Sequence, residues 1–238
     1  MRILWLVLAL CSTIVPIVQG SDGGTAQQST RHPQFLDSFD VDLSQLSPTG
    51  RNPYFILEPG YVLSFRGHED KKEAGLVITV LDTTRTVAGV KTRLVEERET
   101  LNGQVSEVSR NYYAISTRTQ DVYYFGEEVD AYRHGKLIGH PGSWLAGVDG
   151  NRFGLAMPGD PKVGLRYYQE IAPEIAMDRA RIVNDSDSLD TPAGRFTHVL
   201  VIEETSPLEP DVKEYKYYAP GIGLLKDGGL RLTHHGPR

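Results

Sequence analysis

The chain has one cysteine, Cys11, in 238 residues. A lone thiol forms no intrachain disulfide and no multi-cysteine metal site, so stability must come from core burial and backbone pairing. Basic clusters are also missing, and with Lys and Arg at 25 against Asp and Glu at 31 the net charge is −6. That balance argues against nucleic acid or an anionic membrane surface as partner. Helical periodicity sustained over a dozen residues is absent after residue 50. The glycine-rich stretch HPGSWLAGVDGNRFGLAMPGDPKVG (140–164) matches neither G-x-G-x-x-G nor G-x-x-x-x-G-K-[ST] and leads into no helical pattern, which excludes a phosphate loop. Ser143 in PGSWLAG lacks the G-x-S-x-G elbow. No cofactor is expected.

The ends are more informative. MRILWLVLALCSTIVPIVQG (1–20) has one positive charge at Arg2, an apolar run and small residues before Ser21, the pattern of a secretory signal peptide cut after Gly20. Ser12, Thr13 and Pro16 interrupt the run, so it is not a transmembrane anchor. LALC leaves lipidation at Cys11 open as an alternative. The predicted location is exported, periplasmic or extracellular. Residues 21–50 are polar, rich in small residues and weakly patterned, a flexible leader in which QFLDSFDVDLSQL allows a short docking turn of helix. A single β domain is predicted for 51–238.

From Asn52 onward the pattern is β. LVITVL (76–81) is a continuous apolar strand, and residues 87–116 read as two long strands around Asn102-Gly103, a strong hairpin signal. Along the first arm Val90, Thr92, Leu94, Glu96 and Arg98 share one face, and Val87, Gly89, Lys91, Arg93, Val95, Glu97 and Glu99 the other. The charges near the turn suggest that this hairpin projects into solvent. Further strands are predicted at 120–126, 129–133, 165–171, 176–183, 195–204, 211–219 and 222–226. The fold class is all-β or nearly so, a single curved antiparallel meander, half-barrel or clam-like, of about ten strands.

Four tyrosine pairs, Tyr112-Tyr113, Tyr123-Tyr124, Tyr167-Tyr168 and Tyr217-Tyr218, each put one ring on either side of the sheet. Such rings serve packing or line a concave face for an apolar or sugar-like ligand. The candidate ligand-binding residues are Trp144, Met157, Tyr124, Tyr168 and Tyr217, with the loop 140–164 as the rim of any binding mouth. Val148-Asp149-Gly150-Asn151 and Pro158-Gly159-Asp160-Pro161 read as turns, pinned by Trp144, Leu155 and Met157. Asp149, Asn151 and Asp160 keep a calcium frame open, weakened by Phe153 at its fifth position and by the missing flanking helices. His134, His140, His234 and His235 have no zinc spacing and read as solvated, whereas His198, within FTHVLVIEE, reads as a core or interface histidine. No catalytic residue is assigned. The alternative is acid/base work by Glu170 and Asp178, set against a cross-strand ion pair with Arg179 or Arg181.

TPAGRFTHVLVIEE (191–204) and KEYKYYAPGIGLLKD (213–227) resemble the PAG-x-F and YYAPGVGLV segments of exported bacterial β-rich proteins of unknown function. The run from Phe125 to Glu170 is similar to their central part, so the resemblance covers about 120–227. At the level of fold it extends to outer-membrane lipoprotein-carrier half-barrels, whose curved sheet holds acyl chains, although no helical pattern is present here to plug the clam. Together these features imply a secreted or periplasmic, non-enzymatic β protein that binds a lipid, another apolar ligand or an envelope protein. The alternatives are a glycan hydrolase using the paired carboxylates and a structural envelope protein.

Overall fold

The computed structural model describes residues 34–238; the segment 1–20, Cys11 and the first part of the leader lie outside them. A 3-10 turn, Leu43–Gln45, capped by the Asp42 carboxylate on the Ser44 N–H at 3.0 Å, leads into short strands β1 (Leu46–Ser47), β2 (Gly50–Asn52) and β3 (Phe55–Leu57). Long strands follow: β4 (Tyr61–Glu69), β5 (Lys72–Val87), β6 (Val90–Leu101), β7 (Gln104–Ser116) and β8 (Val122–Arg133). The middle of the chain is shorter: β9 (Lys136–Gly139), β10 (Trp144–Leu145), β11 (Arg152–Met157), β12 (Arg166–Tyr168) and β13 (Glu170–Ile171). The last five are β14 (Arg179–Thr191), β15 (Gly194–Ser206), β16 (Glu209–Ala219), β17 (Gly223–Asp227) and β18 (Leu230–Pro237). The described residues include no α-helix.

The all-β antiparallel expectation is met, but the strand number is not. The main sheet holds 16 strands, and its hydrogen-bonded path is β12-β14-β15-β16-β17-β18-β4-β5-β6-β7-β8-β11-β13. The ends of this path, β12 and β13, are consecutive in the chain with Gln169 alone between them. The Gln169 and Glu170 N–H groups both donate to the Asp178 carbonyl, 2.8 and 3.1 Å away, directly before β14. A sheet expected as a half-barrel is therefore nearly closed. Period-2 patterning cannot count strands that are too short to alternate, and it missed β4 and β18, whose glycines and histidines dilute the pattern.

Turn chemistry sets the meander. Ala88-Gly89, Asn102-Gly103 and His134-Gly135 have positive φ at both central residues, the two-residue hairpin turns whose twist suits the flanking strands. The Ala88-Gly89 turn places Val87 at the end of β5, so the first arm predicted from 87 begins at Val90. The strands predicted at 120–126 and 129–133 are one strand, β8, offset at Gly126, where Trp144 and Leu145 pair alongside. Register shifts at Val80/Thr84, Asn111/Tyr113 and Tyr217/Tyr218 bend the long strands around the barrel. His198, expected inside, is exposed. It is the extra residue, φ 55°, between the Ser188↔Thr197 and Asp187↔Val199 pairs, and that bulge turns its ring out.

Part of the predicted leader belongs to the folded unit, which runs from Phe35 to Arg238. Leu36 bridges to Tyr167, the Phe39 ring meets Tyr123 edge-on at 5.9 Å, and the Arg93 guanidinium donates to the Pro48 carbonyl. Buried Asn52 fastens this segment, donating to the carbonyls of Gln120 and Pro158 and accepting from the Tyr54 N–H. Apolar residues gather in two clusters. One surrounds Tyr112, Phe125, Met157 and Ile182, and the other Leu63, Phe65, Leu76 and Leu225.

The closure depends on Gly154, because a Cβ there would lie 2.2 Å from the Gln169 carbonyl oxygen. Gly154→Ala is expected to lower stability by about 1–3 kcal/mol in urea unfolding, because backbone must move to admit the methyl group. Gly75→Ala, whose one close contact would be the Thr100 hydroxyl at 2.8 Å, is expected to cost less.

Candidate functional site

Cross-strand partners share a face, and following them around the barrel defines its interior. Ile78 lies opposite Glu97, Glu97 opposite Ser109, and Ser109 opposite Val129. One step along, Val95, Asn111 and Glu127 are aligned; one step the other way, Phe65, Leu76, Glu99 and Glu107. Lys216 pairs with both Ile202 and Asp227, and Glu204 with Ala180. The intervening residues Val77, Glu96 and Arg98 face outward, Val77 being 39% exposed. Glu97 and Glu99, expected to project into solvent, are 5% and 7% exposed and face inward. Charge density near a turn does not reveal which face a curving sheet will enclose. Here both faces of the hairpin are charged.

The interior is divided in character. Its β4, β5 and β18 side is apolar, with Leu63, Phe65, Leu76 and Leu232. Its β6, β7 and β8 side carries carboxylates beside Tyr113 and Tyr124, whose rings stack with centroids 4.7 Å apart. Tyr124 donates to the Asn111 side-chain oxygen at 2.5 Å. The Lys216 ammonium lies 2.8 Å from Glu204 and 3.7 Å from Asp227. Burial works against that charge, but the two acids outweigh it and hold Lys216 protonated; Lys216 in return holds Glu204 below its usual range against the effect of burial. The other acids lack such compensation. Burial pushes Glu97 up to about 8 and Glu107 and Glu127 up to about 7, and it holds Glu170 and Glu99 well above the ordinary carboxyl range. Neighbouring acids add to this, Asp178 at Glu170 and Glu107 at Glu99. The Glu97 Oε2 and the Tyr167 hydroxyl are buried without a hydrogen-bond partner.

The predicted site residues separate into two groups. Tyr124 and Trp144 meet, their rings edge-on at 5.5 Å, and Met157 belongs to the same buried cluster. Tyr168 lies against Phe35, and Tyr217 lies under the Lys226 ammonium at 4.7 Å. Tyr167 belongs to the buried cluster, apart from Tyr168 beside Phe35, whereas Tyr217 and Tyr218 both pack against the cluster around Leu63 and Leu225. The loop 140–164 is more than a chain of turns, since it carries β10 and β11. Its Val148–Asn151 turn forms as expected, with the Asn151 N–H on the Val148 carbonyl. The calcium frame is not assembled. Asp149 is exposed at φ 51°, Asn151 is buried, and Asp160 pairs with Lys162 at 2.7 Å. Among the described residues no group of three or more His, Cys, Asp or Glu is arranged to hold a metal ion.

Glu170 and Asp178 are brought together, both buried and linked by the Glu170 N–H to Asp178 carbonyl bond. The arginines that were set against them pair elsewhere. Arg181 bonds Glu203 at 3.1 Å, while Arg179 reaches the Thr205 hydroxyl and lies over Phe35. Glu97, Glu127, Glu204 and Lys216 were not singled out from sequence. Their one signal is period-2 alternation with apolar neighbours, as in Val95-x-Glu97-x-Glu99. Comparison with family models, with curated proteins and with solved structures finds no match to this chain.

These carboxyls give the stability an unusual pH slope. A folded pKa above the unfolded value of 4.5 means that the native state holds the extra protons, and the stabilisation is lost as pH rises through the folded pKa. Stability should therefore fall from about pH 5 to about pH 8.5 in chemical unfolding. Glu97→Gln should raise the midpoint at the upper end and change little at the lower.

Proposed function

We propose that this is an exported, non-enzymatic binding barrel that holds a ligand inside its sheet, with the apolar side around Leu63, Phe65 and Leu76 packing the ligand's apolar part. One observation carries the reading: the nearly closed path is far longer than the about eight strands whose interior side chains alone can fill. Polar and titratable groups line part of that interior, where a purely structural core would place apolar side chains. The exported location rests on residues 1–20, and the resemblance to lipoprotein-carrier half-barrels agrees with enclosure of a ligand. Among the described residues no helix is long and apolar enough to cross a membrane.

Alternation along β5 supplies the test. Ile78 points inward and the adjacent Val77 outward. Ile78→Trp should abolish saturable binding of the neutral apolar dye Nile red, and Val77→Trp should leave it unchanged. Equal binding by both variants would place the dye outside the barrel and overturn the reading.

A second reading, glycan hydrolysis by paired carboxylates, is favoured by Glu170 and Asp178 lying together while Arg179 and Arg181 bond elsewhere. A raised carboxyl pKa at Glu170 suits a general acid. It requires turnover of cell-wall glycan by the wild type that falls by at least about 100-fold in Glu170→Gln. No turnover by the wild type would remove it.

A further inference from the structure

Among the described residues, the interior has more carboxylates than cations. Lys216 is engaged by Glu204 and Asp227, and the Arg93 guanidinium is turned to the Pro48 and Leu81 carbonyls and to Asp82. The Lys216 charge reaches Glu97, but neither cation hydrogen-bonds its Oε2, which has no partner in a residue 5% exposed. A buried acceptor left open is costly, so a fold that keeps one at this position favours a donor arriving from outside the chain. The neighbours agree on the kind of donor. Glu97 shares its face with Ile78 and Ser109, and Glu127 lies on the same face one step along β8. Glu127, Glu170 and Glu97 all act electrostatically on the Tyr113 and Tyr124 hydroxyls, with Lys216 opposing them at Tyr113. Stacked tyrosine faces beside carboxylates suit an organic cation, which gains from the ring quadrupole as well as from the charges. A bound anion would face the like charges of Glu97, Glu127 and Glu170, with Lys216 already engaged by Glu204 and Asp227.

We propose that the chamber takes an amphiphile bearing an ammonium group, with the cation seated between Glu97, Glu127 and the Tyr113–Tyr124 stack and the apolar part lying along Leu63, Phe65 and Leu76. This rests on the interior being a binding chamber, and it adds the chemical class of the ligand. On entry an ionised Glu97 accepts an N–H from the ligand at Oε2. A Glu97 that is protonated in the empty barrel releases its proton to solvent as the cation takes its place, so charge and hydrogen balance. Two sources share this chemistry, a free long-chain amine and an amine-bearing lipid headgroup.

Isothermal titration of the full chain at about pH 8.5, where an alkylamine keeps its proton, separates the outcomes. The probes are n-octylammonium, octan-1-ol and octanoate, which share one apolar chain. The expected result is octylammonium binding roughly tenfold or more tighter than the alcohol, with octanoate weakest. Glu97→Gln should remove most of that preference. The outward-facing Glu96→Gln should retain it, and Glu127→Gln provides a second inner variant if Glu97→Gln does not fold. Equal binding of amine and alcohol overturns the inference and leaves the chamber standing, as does a full preference in both inner variants. If none of the three binds to the wild type, the chamber reading falls as well. Vesicles of neutral lipid with and without an amine-headed lipid then distinguish the sources: co-sedimentation that depends on the amine lipid and on Glu97 assigns the headgroup, and its absence assigns the free amine.

Discussion

Closure of the sheet through Gln169 is the constraint on which everything else depends. Two edge strands, β12 and β13, are joined by that residue, and the Asp178 carbonyl accepts from both Gln169 and Glu170. Gly154 makes room for the crossing because it has no Cβ to meet the Gln169 carbonyl. With the path nearly closed, most inward side chains are removed from water whatever their chemistry, Glu97, Glu99 and Glu127 among them. Glutamates that would be unremarkable on an open sheet become buried acids.

This explains why the titration behaviour is concentrated on one side. Lys216 compensates Glu204 and Asp227 within hydrogen-bonding or ion-pair distance, and the Arg181–Glu203–Lys213 group is a partly exposed network on the other face. Among the described residues, no ion pair is formed to Glu97, Glu99, Glu127 or Glu170, and burial raises their carboxyl pKa values. Retaining several such groups opposes stability at neutral pH, which argues for a use beyond folding.

Much of the architecture was legible from residues. The Asn102-Gly103 hairpin, the separation of Tyr167 from Tyr168 and the turn at Pro220-Gly221 before Leu224 follow from local backbone chemistry. Pinning by Trp144 and Met157 was legible for the same reason: large apolar side chains in a polar loop must bury. Three features were not. Closure is a long-range property, set by β13 meeting β11 across strands too short to show a pattern. The inward face of β6 was hidden because Glu96 and Arg98 are as charged as Glu97 and Glu99. His198 was misplaced because alternation assumes an unbroken ladder, and a single bulge reverses every expectation for one residue.

The central claim is that closure encloses the Glu97 side of the sheet in a water-poor interior. Following the side-chain carboxyl carbons of glutamate by NMR against pH tests it most directly. The account predicts a small set of glutamates titrating far above the rest, with Glu97 near 8 and Glu107 and Glu127 near 7, and loss of the uppermost transition in Glu97→Gln. Titration of every glutamate close to 4.5 would mean that water reaches this face freely, and the enclosed interior would be contradicted.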